Sequence, residues 1–268
     1  PTRPTSVLTE DELLIAREEQ GGIARFDALT GEVFDPIEVG GPEARVRWMA
    51  HDNGVLFTLS GKPGEMIHPF IWKGQMRIEG GKEQFYGNEL VAWSMTDEQV
   101  LWKHTAPGMV DYRTVALHQG RIFYYAENKG LFCLNAGDGK PVWENPQGAW
   151  PEDFKRPPTR GNMLNTSSMI AADGLIQLYL MAGALKWRDI ESPTLVFRAD
   201  DGKLLSRMEW NAHKSMIVDG ASIKGNARFN PNTGKRIEGS DLPSPAGMHW
   251  CGLTTYAPGT GVLGHSTL

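Results

Sequence analysis

Residues Gly120–Asn145 read GRIFYYAENKGLFCLNAGDGKPVWEN. Two short apolar runs, RIFYYA and LFCLN, are each closed by a turn that carries Gly, and a Trp follows the second turn by four residues. Apolar runs bounded by Gly, Asn and Asp are strand signals, because those residues reverse the chain where the pleated segment ends. The same frame appears earlier, where ELLIAREEQGGIARFDALTG (Glu12–Gly31) aligns with RIFYYAENKGLFCLNAGDG (Arg121–Gly139). The stretch is therefore one unit of a repeat and not a lone hairpin.

Each unit carries two turn anchors. The second closes the third strand and lies at Thr30-Gly31, Asp97-Glu98, Asp138-Gly139, Asp201-Gly202 and Thr233-Gly234, with Glu98 standing where the other units have Gly. The first lies at Asn53-Gly54, Gln119-Gly120, Asp173-Gly174 and Asp219-Gly220, dipeptides that supply the positive φ of a tight hairpin. Trp102 and Trp143, four residues past the second anchor, fall on the outer strand, where a wide ring can wedge between neighbouring sheets. The unit is a four-stranded antiparallel sheet of the size found in propeller blades.

The prediction is an all-β fold, a β-propeller of four-stranded antiparallel blades with five complete blades and a partial one. All belong to one domain, 1–268, with blades over 6–40, 43–107, 109–147, 162–211 and 213–240 and two strands of a sixth over 248–268. Insertions fall at Lys62–Gly87 and Lys186–Ser192. An unclosed ring leaves an open sheet edge, which natural proteins avoid, so the chain is expected to be a piece of a larger propeller or to lack a partner that closes it. One segment argues locally for another structure. Thr9-Glu10-Asp11-Glu12 fits a helix capping box followed by helix formers, but its register with Arg121–Gly139 runs over the whole unit, and the strand reading is preferred.

Composition agrees with many short strands: the chain has 31 Gly, 17 Pro and 9 Trp. A net charge of -5 and the lack of any Lys/Arg block argue against nucleic acid as a partner. No apolar run is long enough for a membrane span, and PTRPTSVLTE has neither the charged nor the apolar part of a signal peptide. The two cysteines, Cys133 and Cys251, form no CxxC pair, and HWC and AHK have no partner at zinc spacing, so no metal is expected. GTGVLG at Gly259–Gly264 matches GxGxxG, yet only four residues follow it and no βαβ unit precedes it, so it reads as a turn.

NAGDGKPVWEN and DALTGEVF, with FNPNTGKRI and RADDGKLL behind them, resemble the quinoprotein-like (PQQ-like) propeller repeat. That repeat is found in pyrroloquinoline-quinone (PQQ) alcohol dehydrogenases and in the propeller lipoprotein of outer-membrane β-barrel assembly. The resemblance implies an extracytoplasmic, bacterial-type protein, periplasmic or secreted. The lack of any specific catalytic motif favours a non-catalytic scaffold that binds a protein partner or ligand. The alternatives are a quinoprotein oxidoreductase, favoured by the repeat family alone, and a propeller-based polysaccharide lyase acting on acidic sugars, which needs a His/Tyr/Arg cluster on the inner strands. The quinone enzymes of the family use a vicinal Cys pair, Asn and acidic calcium ligands and an Asp base. No motif here carries those residues over, so neither PQQ nor calcium is expected as cofactor.

Candidate site residues come from the first strand of each unit, which in a propeller lines the channel. Arg45, Arg47, Tyr112, Arg113, Asn165, His213, Lys214 and His249 stand at these strand starts. If Arg113, His213 and His249 converge, they form a cationic site for an acidic carbohydrate, with neutral imidazoles as base and Tyr112 as proton donor. His51, His104 and His118 are read as solvated residues near turns.

Overall fold

The structure, a computed structural model, describes residues 6–17, 21–40, 43–62, 71–72, 75–76, 86–151, 167–180, 194–208, 215–224, 227–239, 253–257 and 262–266. Contacts divide the chain into two compact units, the first holding the described residues up to Ala149 and the second those from Trp150 onward. Among the described residues the only helical element is a single 3₁₀ turn, Gln147–Ala149.

In the first unit, β1 (Ser6–Leu8), β2 (Glu12–Ala16), β3 (Ile23–Asp27) and β4 (Val33–Ile37) form an antiparallel meander in chain order. The capping-box residues make its first turn and not a helix. The Thr9 N–H donates to the Glu12 carbonyl at 2.8 Å, and the Glu12 N–H donates to Thr9 Oγ1 at 2.9 Å. The Glu12 carboxylate is held by both Arg25 Nε and Nη2, at 2.8 Å each, and so does not reach back to cap a helix.

Next come β5 (Arg45–Asp52), β6 (Val55–Gly61), the two-residue strands β7 (Ile71–Trp72) and β8 (Gln75–Met76), β9 (Tyr86–Ser94) and β10 (Gln99–His118). These lead into β11 (Arg121–Ala126), β12 (Gly130–Asn135) and β13 (Pro141–Pro146). β7 and β8 pair only with each other, inside the expected insertion over 62–87, most of which lies outside the described residues, as does all of 186–192. The others form one seven-stranded sheet in the order β13-β12-β11-β10-β9-β6-β5.

Two four-stranded meanders are joined here through the twenty-residue β10. It pairs with β9 from Gln99↔Ser94 to Thr105↔Glu89 and again at Val110↔Gly87 and Asp111↔Tyr86, and with β11 at Val110↔Ala126 and from Val115↔Tyr124 to His118↔Arg121. No pairs form over residues 106–109, so Pro107 lies within the strand without removing a ladder hydrogen bond.

The second unit contains the meander β14 (Ser168–Ala172), β15 (Leu175–Tyr179), β16 (Thr194–Arg198) and β17 (Leu204–Arg207). It also contains the three-stranded β18 (Met216–Val218), β19 (Ala221–Lys224) and β20 (Ala227–Phe229), extended by a bridge from Phe229 to Arg236. The pair β21 (Leu253–Ala257) and β22 (Val262–Ser266) completes it.

Every described turn anchor has the left-handed backbone read from the sequence. Asn53, Gln119, Asp173 and Asp219 have φ of 49° to 50°, and Gly31, Gly139, Gly202 and Gly234 have φ of 68° to 75°. Glu98, in the place of Gly, is also left-handed at φ 51°. At each of the four glycine turns the Gly N–H donates to the carbonyl four residues back, from Gly31 to Asp27, Gly139 to Asn135, Gly202 to Arg198 and Gly234 to Asn230. The residue before the Gly then caps the turn: Thr30 Oγ1, Asp138 Oδ1, Asp201 Oδ1 and Thr233 Oγ1 each accept the N–H two positions on. This is why the dipeptide is Asp-Gly or Thr-Gly.

The central strands are apolar on both sides because sheets lie against both of their faces. On β6 and β9, Phe57, Leu59, Leu90 and Ala92 pack with Trp102, Ile122 and Tyr124, while Leu56 and Val91 turn the other way to Leu14, Ile23 and Ile37. Alternation along the strand thus separates two cores and does not divide core from solvent.

Trp102 takes the expected wedge position. It is 9% exposed, its Nε1 donates to the Ala136 carbonyl at 2.8 Å, and its ring lies against Gly139. In the second unit Ser206 makes the equivalent bond, from its hydroxyl to the Pro231 carbonyl at 2.5 Å. Trp143 departs from the expectation: it is half-buried, its ring 5.9 Å from that of Phe123.

Two glycine substitutions separate backbone strain from packing. A Cβ on Gly31 would meet nothing within 4 Å, whereas one on Gly139 would come within 2.6 Å of the Trp102 ring. Both positions carry the left-handed penalty of about 1 to 2 kcal/mol. Gly31→Ala is expected to lose about that much in chemical denaturation, and Gly139→Ala to lose at least about 2 kcal/mol more as the indole is displaced. Equal losses would show that the wedge does not hold the sheets together.

Candidate ligand sites

Arg45 and Arg47 lie on β5, both half-buried, and Arg45 Nη1 donates to the Ala44 carbonyl at 3.1 Å. Tyr112 and Arg113 lie on β10, also half-buried. Asn165, His213, Lys214 and His249 lie outside the described residues, and with them the expected convergence of Arg113, His213 and His249.

Arg113 does not act as an unopposed cation. Its Nε donates to Asp111 Oδ1 at 2.8 Å, its Nη2 forms an ion pair with Asp111 Oδ2, and its own N–H donates to Oδ1 at 3.0 Å. Asp111 is fully buried, and burial pushes its carboxyl above the ordinary range while Arg113 pulls it back. A charge of this kind is tolerated inside a protein only when paired, so the guanidinium is committed to the carboxylate.

The sequence signal for this was present. Residues two apart on a strand share a face, and Asp111 is two residues before Arg113. The pairing of β10 with β11 jumps from Val110↔Ala126 to Val115↔Tyr124, a bulge that accommodates the pair, and Thr114 Oγ1 closes it by donating to the Asp111 carbonyl at 2.8 Å.

A second site was not expected from sequence. His104 is not a solvated turn residue: it lies within β10, opposite Leu90, and its Nε2 is 2.8 Å from the Tyr124 hydroxyl of β11. Tyr124 is 1% exposed and stacks on Phe132, ring centroids 5.2 Å apart. Around them is a cleft of about 330 Å³ between the two halves of the seven-stranded sheet, lined also by Lys129, Trp143 and Glu144. Cys133 lies in its wall as a buried free thiol, pushed up to about 12 by burial, and so is no nucleophile at neutral pH. Among the described residues no group of three His, Cys, Asp or Glu side chains is placed to hold a metal ion, and no helix is long and apolar enough to cross a membrane.

Burial holds the His104 imidazole below its ordinary value of 6.5, with the Glu144 carboxylate acting in the opposite sense, and burial raises the Tyr124 phenol. Below pH 6.5 the unfolded chain binds a proton at His104 that the folded imidazole resists, so this residue's share of stability is present above 6.5 and is lost as pH falls through it. His104→Gln is therefore expected to lose less stability than wild type between about pH 7.5 and about pH 5.5 in urea denaturation. Parallel losses would show that the folded imidazole protonates as freely as the unfolded one.

A family sequence profile, that of outer membrane protein assembly factor BamB, matches residues 86–250, more than half of the chain. No curated protein matches the chain significantly. Among solved structures, BamB from Moraxella catarrhalis superposes with a TM-score of 0.50 at 11% identity, over 86% of this chain and 56% of that one. This chain thus spans just over half the length of that relative. The quinohemoprotein alcohol dehydrogenase ADHIIG from Pseudomonas putida HK5 superposes with a TM-score of 0.52 at 12% identity, over 86% of this chain and 40% of that one. The Cps50 (Swd1) β-propeller domain from Myceliophteria thermophila gives 0.51 at 8% identity, over 85% and 64%. At such identities the likeness is one of fold: the chain is an all-β, propeller-type protein.

Proposed function

Since the chain belongs to the family of outer membrane protein assembly factor BamB, we propose that it is a non-catalytic propeller scaffold that binds protein partners outside the cytoplasm, in the assembly of outer-membrane proteins. The blade boundaries predicted from sequence are part of this reading. The observation that carries it is the family match over residues 86–250. Among the described residues of that span, Trp102, Asn135, Asp138 and Gly139 build the turns and wedges that hold sheets together. Arg113, one of the described cations of the predicted channel site, is held by Asp111 and is thereby a poor anchor for an acidic sugar. A folded set of blades presents loops and edges to a partner without any reacting group, as scaffold repeats do.

The test is binding set against turnover. The immobilised chain is expected to retain a protein component of the outer-membrane assembly machinery of its own source cell in a stoichiometric complex. It is expected to show no dye-linked alcohol oxidation when supplied with PQQ and calcium. Turnover under those conditions without a protein complex would replace the scaffold reading by the oxidoreductase one.

A further inference from the structure

The cleft around His104 has the make-up of a small-molecule site. Its floor is a fixed hydrogen-bonding pair. Tyr124 is buried and anchored by stacking on Phe132, and its hydroxyl engages His104 Nε2, so the imidazole is held in one orientation. Among the described residues no protein group bonds the other ring nitrogen, Nδ1, and none bonds the Thr105 hydroxyl, the Lys129 ammonium or the Glu144 carboxylate, all of which belong to residues lining the same cleft. Donors and acceptors without protein partners, grouped around one concavity with apolar walls at Phe132, Leu134, Pro141 and Trp143, are what a specific polar ligand requires.

Charge narrows the class. Lys129 and Glu144 cancel and the imidazole is neutral, so the cleft has no net charge with which to select an anion or a cation. Several hydroxyls on a compact apolar frame match the mixture of donors, acceptors and rings, and a space of about 330 Å³, at the small end for ligand sites, suits one or two sugar rings. We propose that the cleft lined by His104, Tyr124, Lys129, Trp143 and Glu144 binds a neutral saccharide of one or two rings. It lies wholly between β10, β11, β12 and β13, apart from the strand-start residues predicted as a site for acidic sugars, and it does not depend on the scaffold reading.

The probes are glucose and cellobiose as neutral ligands, with glucuronate as anionic and glucosamine as cationic control. Binding is read by saturation-transfer NMR and by Trp fluorescence at neutral pH. Wild type is expected to bind a neutral sugar saturably with Kd on the order of 1 mM, more tightly than either charged sugar. Glu144→Gln and His104→Gln are each expected to weaken it about tenfold or more. Glu144 is exposed, so its variant keeps the fold even if the His104 variant does not. The proposal is overturned by any of three results. One is no saturable neutral binding up to about 50 mM, well above the expected Kd. Another is tighter binding of glucuronate or glucosamine, which would make this a charge site. The last is neutral binding left unchanged by Glu144→Gln, which would place the sugar elsewhere.

Discussion

The hydrogen bond from a left-handed glycine to the carbonyl four residues behind it is the constraint on which the described sheets depend. It turns the third strand of a unit into the fourth, and at Gly139 and Gly234 it also brings the turn against the preceding strand so closely that no Cβ fits. The contact between successive sheets is made at that turn: the carbonyl that follows the third strand accepts a bond from Trp102 in one case and from Ser206 in another. The acceptor stays the same while the donor changes from indole to hydroxyl. A backbone group set by turn geometry is thus the fixed part of the joint, and the side chain reaching it can vary.

This explains why so much of the fold could be read from sequence. Asp138-Gly139, Asp201-Gly202 and Thr233-Gly234 determine their own backbone through bonds spanning two to four residues, and such local chemistry does not wait on tertiary context. Glu98 was identified by frame alone; it is left-handed without being Gly, and Arg25 donates to its carboxylate at 2.8 Å. Trp143 shows the limit. The same spacing that buries Trp102 leaves it half-buried, because spacing gives a side chain's place on a strand and not what lies opposite.

The candidate sites were less legible for the same reason. The spacing of Asp111 and Arg113 allows the pair, but that Asp111 turns inward depends on a register shift in β10, which residue types do not mark. His104 was read as a solvated residue near a turn, and Pro107 and Gly108 follow it closely. They instead fall at an irregularity within β10, between its pairing with β9 up to Thr105 and the resumption of that pairing at Val110. Of the described arginines in the strand-start set, Arg113 is committed to a buried carboxylate, and an overlooked histidine is fixed by a phenol.

The shared strand β10 bears on how this unit comes apart. Twenty residues of continuous backbone belong to the ladders of two meanders at once, so amide protons on β9 and on β11 are protected by the same segment. Opening one meander from its β10 side removes the template of the other, and the two behave as a single cooperative block in exchange with solvent water. The meander β1 to β4 has no such strand in common with its neighbour and is joined to it through side chains such as Arg25. Fluctuations that expose backbone in the first unit therefore begin at its amino-terminal sheet and halt at β5, leaving the shared strand β10, with His104 on it, in the slowest-exchanging part of the unit.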